Sequence, residues 1–145
     1  MGRLAAERIP RTKTIEHSVS NENTDQITGG CYCGAVRFNT TKPTLHQVNC
    51  HCSNCRRAVG AQSVAWITVP LERFQIVKGT PKRFRTDTDA WRTFCDVCGT
   101  SLTYQCDERP SEIDIVTGCL DDPEKFAPTK DIFADEKLSW VPEIA

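Results

Sequence analysis

The chain has 145 residues, enough for one domain, and its 39% apolar content suffices for a modest core. Eighteen basic and nineteen acidic side chains leave a net charge of −1, so the basic excess that marks nucleic-acid or anionic-membrane partners is absent and neither partner is expected. No apolar run approaches the ~18 residues of a membrane span.

Residues 1–26 are polar and aperiodic, with Arg3, Arg8, Arg11 and Lys13 offset by Glu7 and Glu16. They read as a flexible extension with no apolar segment of the export type, which points to a cytoplasmic protein. A domain is expected over 27–145, opening on Ile27-Thr28-Gly29-Gly30. Strand-like runs of β-branched and aromatic residues then follow at 36–38, 63–69, 73–77, 82–85, 91–94, 101–104 and 113–116, separated by Gly, Pro and Asp. Helix signals are confined to a short turn over 53–59 and another over 122–126, where Pro123 suits a first helical position. The fold class is mainly β.

Nine cysteines, an odd number, in a chain without an export signal favour metal over disulfides. Three clusters stand out: Cys31-Tyr32-Cys33, Cys50-His51-Cys52-Ser53-Asn54-Cys55 and Cys95-Asp96-Val97-Cys98. On an extended strand, residues two apart are separated by ~6–7 Å. One zinc ion holds its sulfurs about 3.8 Å apart, so each pair needs a tight turn. Gly34 and Gly99 follow the pairs and permit such turns by adopting positive φ. Cys50, Cys52 and Cys55 lie close enough to wrap one ion as a tripod with its fourth position open. The remaining pairs, Cys31/Cys33 and Cys95/Cys98, complete a closed four-sulfur site. Closed sites are structural and open ones catalytic, so two zinc ions per chain are expected, one of each kind.

Around the tripod, Arg56 and Arg57 are candidates for holding the carboxylates of a substrate, against the plainer reading of a solvated basic pair. Trp66, in the best strand, is read as a core residue or a wall of the substrate pocket. His51 is crowded between two ligands and is read as their neighbour rather than a ligand. His46 is expected at the surface or on an edge strand. Trp91 and Trp140 are expected to pack, and Cys106 and Cys119 to be structural thiols.

Four stretches in order resemble a known family. Gly29-Gly30-Cys31-Tyr32-Cys33-Gly34-Ala35-Val36-Arg37-Phe38 resembles the opening signature of the glutathione-dependent formaldehyde-activating family, which includes the centromere protein V type. Cys50-His51-Cys52-Ser53-Asn54-Cys55-Arg56, Phe94-Cys95-Asp96-Val97-Cys98-Gly99-Thr100-Ser101-Leu102 and Thr117-Gly118-Cys119-Leu120-Asp121-Asp122-Pro123 resemble the next three. The resemblance implies a β-tent zinc-binding fold. It also implies a structural zinc on Cys31, Cys33, Cys95 and Cys98, and a catalytic zinc on Cys50, Cys52 and Cys55. The implied activity is that of a carbon–sulfur lyase acting on S-hydroxymethylglutathione or a related thiol adduct, with glutathione as co-substrate. The alternatives are a non-catalytic zinc-stabilised binding module and an enzyme of the same fold acting on another small molecule. Two positions depart from the family pattern: Cys119, where Ser or Thr is common, and Asp131, where His is common.

Overall fold

A computed structural model describes residues 25–144, so most of the expected N-terminal extension lies outside the described residues. Within them the chain is mainly β, as expected. Its strands are β1 (Gln26–Gly30), β2 (Arg37–Thr41), β3 (His46–Cys50), β4 (Val64–Pro70), β5 (Gln75–Lys78), β6 (Lys82–Arg85), β7 (Ala90–Phe94), β8 (Ser101–Cys106), β9 (Glu112–Val116) and β10 (Lys130–Ile132). One short helix, α1 (Ser53–Val59), falls where the sequence suggested a helical turn. Pro123–Phe126 forms a 3-10 turn with Pro at its start.

The strands form a three-stranded sheet in the order β1-β2-β5 and a seven-stranded sheet in the order β10-β3-β4-β9-β8-β7-β6. Pairing is antiparallel throughout, apart from β10, which runs parallel to β3. In β4, a central strand covered on both faces, five of seven residues are buried, which is why it reads as a near-continuous run of Val, Trp, Ile and Thr.

Alternation along the strands divides the large sheet into two faces. Ile67, Val69, Ile113 and Ile115 point one way and, with Ile27, Val36, Phe38, Leu102 and Leu120, form the main core between the two sheets. Trp66 and Val116 point the other way and join Val48, Cys50, Cys55 and Val64 in a second apolar cluster. On this second face the register aligns one residue from each of six adjacent strands. His46 pairs with Thr68, Thr68 with Asp114, Asp114 with Tyr104, Tyr104 with Arg92, and Arg92 with Phe84. A row of polar residues from His46 to Arg92 therefore crosses this face and ends at Phe84.

Some details differ from expectation. Residues 71–73 form a 3-10 turn and the next strand begins only at Gln75, because the Leu71 N–H is held by the Ser111 carbonyl and the Phe74 N–H turns back to the Leu71 carbonyl. Trp140 was expected to pack but is 67% exposed. The strands β3 and β10 had no clear sequence signal, since His, Gln and Asn in one and Lys and Asp in the other are weak strand formers.

Candidate metal centres and the cavity they serve

Cys31 and Cys33 occupy the turn between β1 and β2, and Cys95 and Cys98 the turn between β7 and β8. Both turns close through residues that only glycine accommodates easily: Gly34 has φ 79° and Gly99 φ 81°. The Gly34 N–H returns to the Cys31 carbonyl and the Gly99 N–H to the Cys95 carbonyl. The four sulfurs all lie within 4.8 Å of one another. Cys31 Sγ is 3.6 Å from Cys33 Sγ, and Cys33 Sγ is 3.8 Å from Cys95 Sγ. These separations fit the ~3.8 Å between thiolates sharing a tetrahedral zinc. The Val36 N–H donates to Cys31 Sγ at 3.2 Å, and Thr100 Oγ1 lies 3.2 Å from Cys98 Sγ. Hydrogen bonds from Thr100 bring the Cys98 thiol down to about 5.

The second cluster forms where β3 ends and α1 begins. Cys50 closes β3, Cys52 caps α1 and Cys55 sits in its first turn. The Cys55 N–H donates to Cys52 Sγ at 3.3 Å, so one side chain both caps the helix and joins the cluster. These three sulfurs also lie within 4.8 Å of one another, and no fourth His, Cys, Asp or Glu among the described residues joins them. The donor set therefore fits a divalent metal held by three thiolates. The Cys50 thiol beside it, together with Arg92, brings the Cys55 thiol down to about 5; Cys50 is pushed well up by that same contact and by burial.

His51 lies outside the sulfur cluster. Fully buried, it sets its Nε2 2.7 Å from Asp131 Oδ1, and its backbone N–H donates to the Ile132 carbonyl on β10. Asp131 also accepts from Asn49 Nδ2 at 3.1 Å and from the Ile144 N–H at 2.7 Å. Hydrogen bonds from the Ile144 N–H, chiefly, and from His51 and Asn49 hold the Asp131 carboxyl below its ordinary range.

The tripod opens into a cavity of about 550 Å³ on the second face of the large sheet. Trp66 and Tyr104 line it, their ring centroids 6.2 Å apart. Cys106, His46 and Lys130 contribute too, and Arg109 lies there bound to Asp114 at 2.7 Å and Glu112 at 2.6 Å. Asp114, itself buried, accepts a further 2.6 Å bond from Thr68 Oγ1.

Of the pocket residues read from the sequence, Trp66 is brought to the cavity, while Arg56 and Arg57 are not among its lining residues. Arg56 Nε instead donates to the His51 carbonyl at 3.2 Å. The arginine beside the sulfurs is Arg92 on β7, whose Nη2 donates to Cys55 Sγ at 3.5 Å. The sequence reading missed it. Its signal was a charged residue at an inward position of a strand, on the same face as buried Ala90. Cys106 was read as a structural thiol and lies in the cavity wall. Cys119 joins neither cluster and donates to the Ser101 carbonyl at 3.3 Å. Among the described residues no helix is long and apolar enough to cross a membrane.

A crystal structure of a Rhodobacter sphaeroides protein is similar over 65% of this chain and 87% of that one, with 28% identity and a TM-score of 0.55. Residues 26–136 match the family described as glutathione-dependent formaldehyde-activating enzyme. With that match over most of its length and three of the four cysteine-bearing motifs folded into two sulfur clusters, the chain belongs to the glutathione-dependent formaldehyde-activating enzyme family.

Proposed function

We propose that the protein is a zinc-dependent carbon–sulfur lyase that makes and breaks the S-hydroxymethyl adduct of a thiol, with glutathione as the thiol. The observation that carries this reading is the three-sulfur cluster at the wall of a 550 Å³ cavity, with no fourth protein ligand among the described residues. Cys31, Cys33, Cys95 and Cys98 would hold a structural zinc and Cys50, Cys52 and Cys55 a catalytic one. A catalytic metal there supplies a Lewis-acid centre that keeps a thiol deprotonated at neutral pH.

The chain's own residues supply the rest. In the synthetic direction the thiol sulfur forms a bond to the carbonyl carbon of formaldehyde, the C=O π pair moves to oxygen, and the thiol proton ends on that oxygen. The reverse step returns the same atoms. Trp66 and Tyr104 give the small electrophile an apolar wall and limit water. The His51–Asp131 contact fixes the segment between Cys50 and Cys52, so the sulfurs keep their convergence. Lys130 lines the same cavity and suits a carboxylate of a glutathione-sized thiol, while Arg109 there is already bound to Asp114 and Glu112.

Carbon-13 formaldehyde mixed with glutathione tests the reading through exchange between free and adduct signals. Wild-type protein should accelerate exchange and the Cys55→Ser variant should not. A two-metal protein that leaves exchange at the uncatalysed rate would refute it.

A further inference from the structure

Arg92 presents a problem of charge. Its side chain is 9% exposed, and no carboxylate among the described residues pairs with it. A guanidinium keeps its proton in proteins, and an uncompensated buried charge costs several kcal/mol. The Tyr104 ring, 4.7 Å from Cζ, offsets only part of this. Nη2 reaches the Cys55 sulfur, while Nη1 is buried with no hydrogen-bond partner. Among the described residues, the hydrogen-bond partner its guanidinium reaches is the sulfur of Cys55, one of the three clustered thiols.

The cluster presents the opposite problem. Three thiolates around a divalent ion carry a net charge of −1, set among the buried side chains of Val48, Val64 and Trp66. Each charge answers the other. On the reading that the tripod holds a metal, we propose that Arg92 is a positioning residue: the buried counter-cation that makes the three-cysteine centre neutral as a unit, holds Cys55 in place and lets the open position receive an anionic thiolate. The four-cysteine site differs: Arg37, whose charge is felt at Cys31, is itself paired with Asp121, and Cys33 is exposed.

Lysine would be a poor substitute. A single ammonium cannot lie flat on Tyr104 while also donating to Cys55. The cross-strand pairing of Arg92 with Tyr104 sets the guanidinium over the ring and within reach of Cys55 Sγ.

The two sites in one molecule provide an internal control. Cobalt(II)-loaded wild-type protein and the Arg92→Gln and Arg92→Lys variants would be titrated with a chelator. The sulfur-to-cobalt charge-transfer bands of the two centres would be followed separately. Arg92→Gln should weaken cobalt at the tripod by about 100-fold and Arg92→Lys by about tenfold, with the four-cysteine site unchanged in both. The tripod bands should also shift in energy, which a purely structural role for Arg92 would not cause. Should the Gln variant fail to fold, the Lys variant alone decides. Tripod affinity and bands equal to wild type in the folded variants would overturn the proposal and leave the lyase reading intact. A wild-type tripod that takes up no cobalt would overturn both.

Discussion

The Nε2 of His51 lies 2.7 Å from Oδ1 of Asp131, and this buried contact ties the residue between two tripod cysteines to β10 at the sheet edge. The segment that carries the sulfurs is thereby clamped from outside the cavity, by a carboxylate that also gathers Asn49 and the Ile144 N–H.

Replacing Asp131 by Ala should therefore cost more than an ordinary surface change. It leaves the buried His51 Nε2 with only the longer 3.3 Å contact to Asn49 Nδ2, and the expected loss is about 1–2 kcal/mol of unfolding free energy. Asp131→Asn keeps an acceptor and should lose roughly half as much. Urea unfolding of the metal-loaded variants measures both. Equal stability of wild type and Asp131→Ala would remove the clamp from the account.

At Cys52 the two roles of one sulfur can be separated. Serine is a good helix cap but a poor zinc ligand, so Cys52→Ser should lose the tripod metal while α1 remains capped. Cys52→Ala loses the cap as well and should be less stable than Cys52→Ser by about 1 kcal/mol, read from thermal unfolding of the two metal-depleted variants.

The four-cysteine cluster joins turns 62 residues apart, as the Cys33–Cys95 contact shows. Cys98→Ser should cost about 4–5 kcal/mol, since loss of a structural metal site belongs among the largest single-residue effects. Cys55→Ser should cost much less. The relative size of the two losses in denaturant unfolding checks the division of labour between the clusters.

Lys130, exposed at the edge of β10, lines the cavity. Lys130→Gln should raise the KM for glutathione by about tenfold, the value of one charge-assisted hydrogen bond, with kcat little changed. Steady-state kinetics over a range of glutathione concentration would show the split. A fall in kcat at constant KM would place Lys130 elsewhere in the reaction.

The sequence disclosed what depends on local geometry. Cysteines two and three apart next to Gly34 and Gly99 can converge only through tight turns, and the sulfurs do gather into the two groups that spacing suggested. Strands rich in Val, Ile and Trp, such as β4, were equally plain. The cavity was not, because it is assembled by register. Arg92 and Cys55 are 37 residues apart, and only the sheet order β3-β4-β9-β8-β7 brings the arginine to the sulfurs. Arg56 and Arg57, adjacent to the tripod in sequence, are not among the residues that line the cavity, since a helix of seven residues presents only one face to it. The parallel pairing of three-residue β10 with β3 left no periodicity to read, yet it supplies the partner of His51.

Zinc per chain, measured by elemental analysis on wild type and Cys52→Ser, tests the central claim most directly. Two equivalents in wild type and one in the folded variant are predicted. A single equivalent in wild type, with Cys52→Ser unchanged, would mean that the tripod is not a metal centre and would contradict the account.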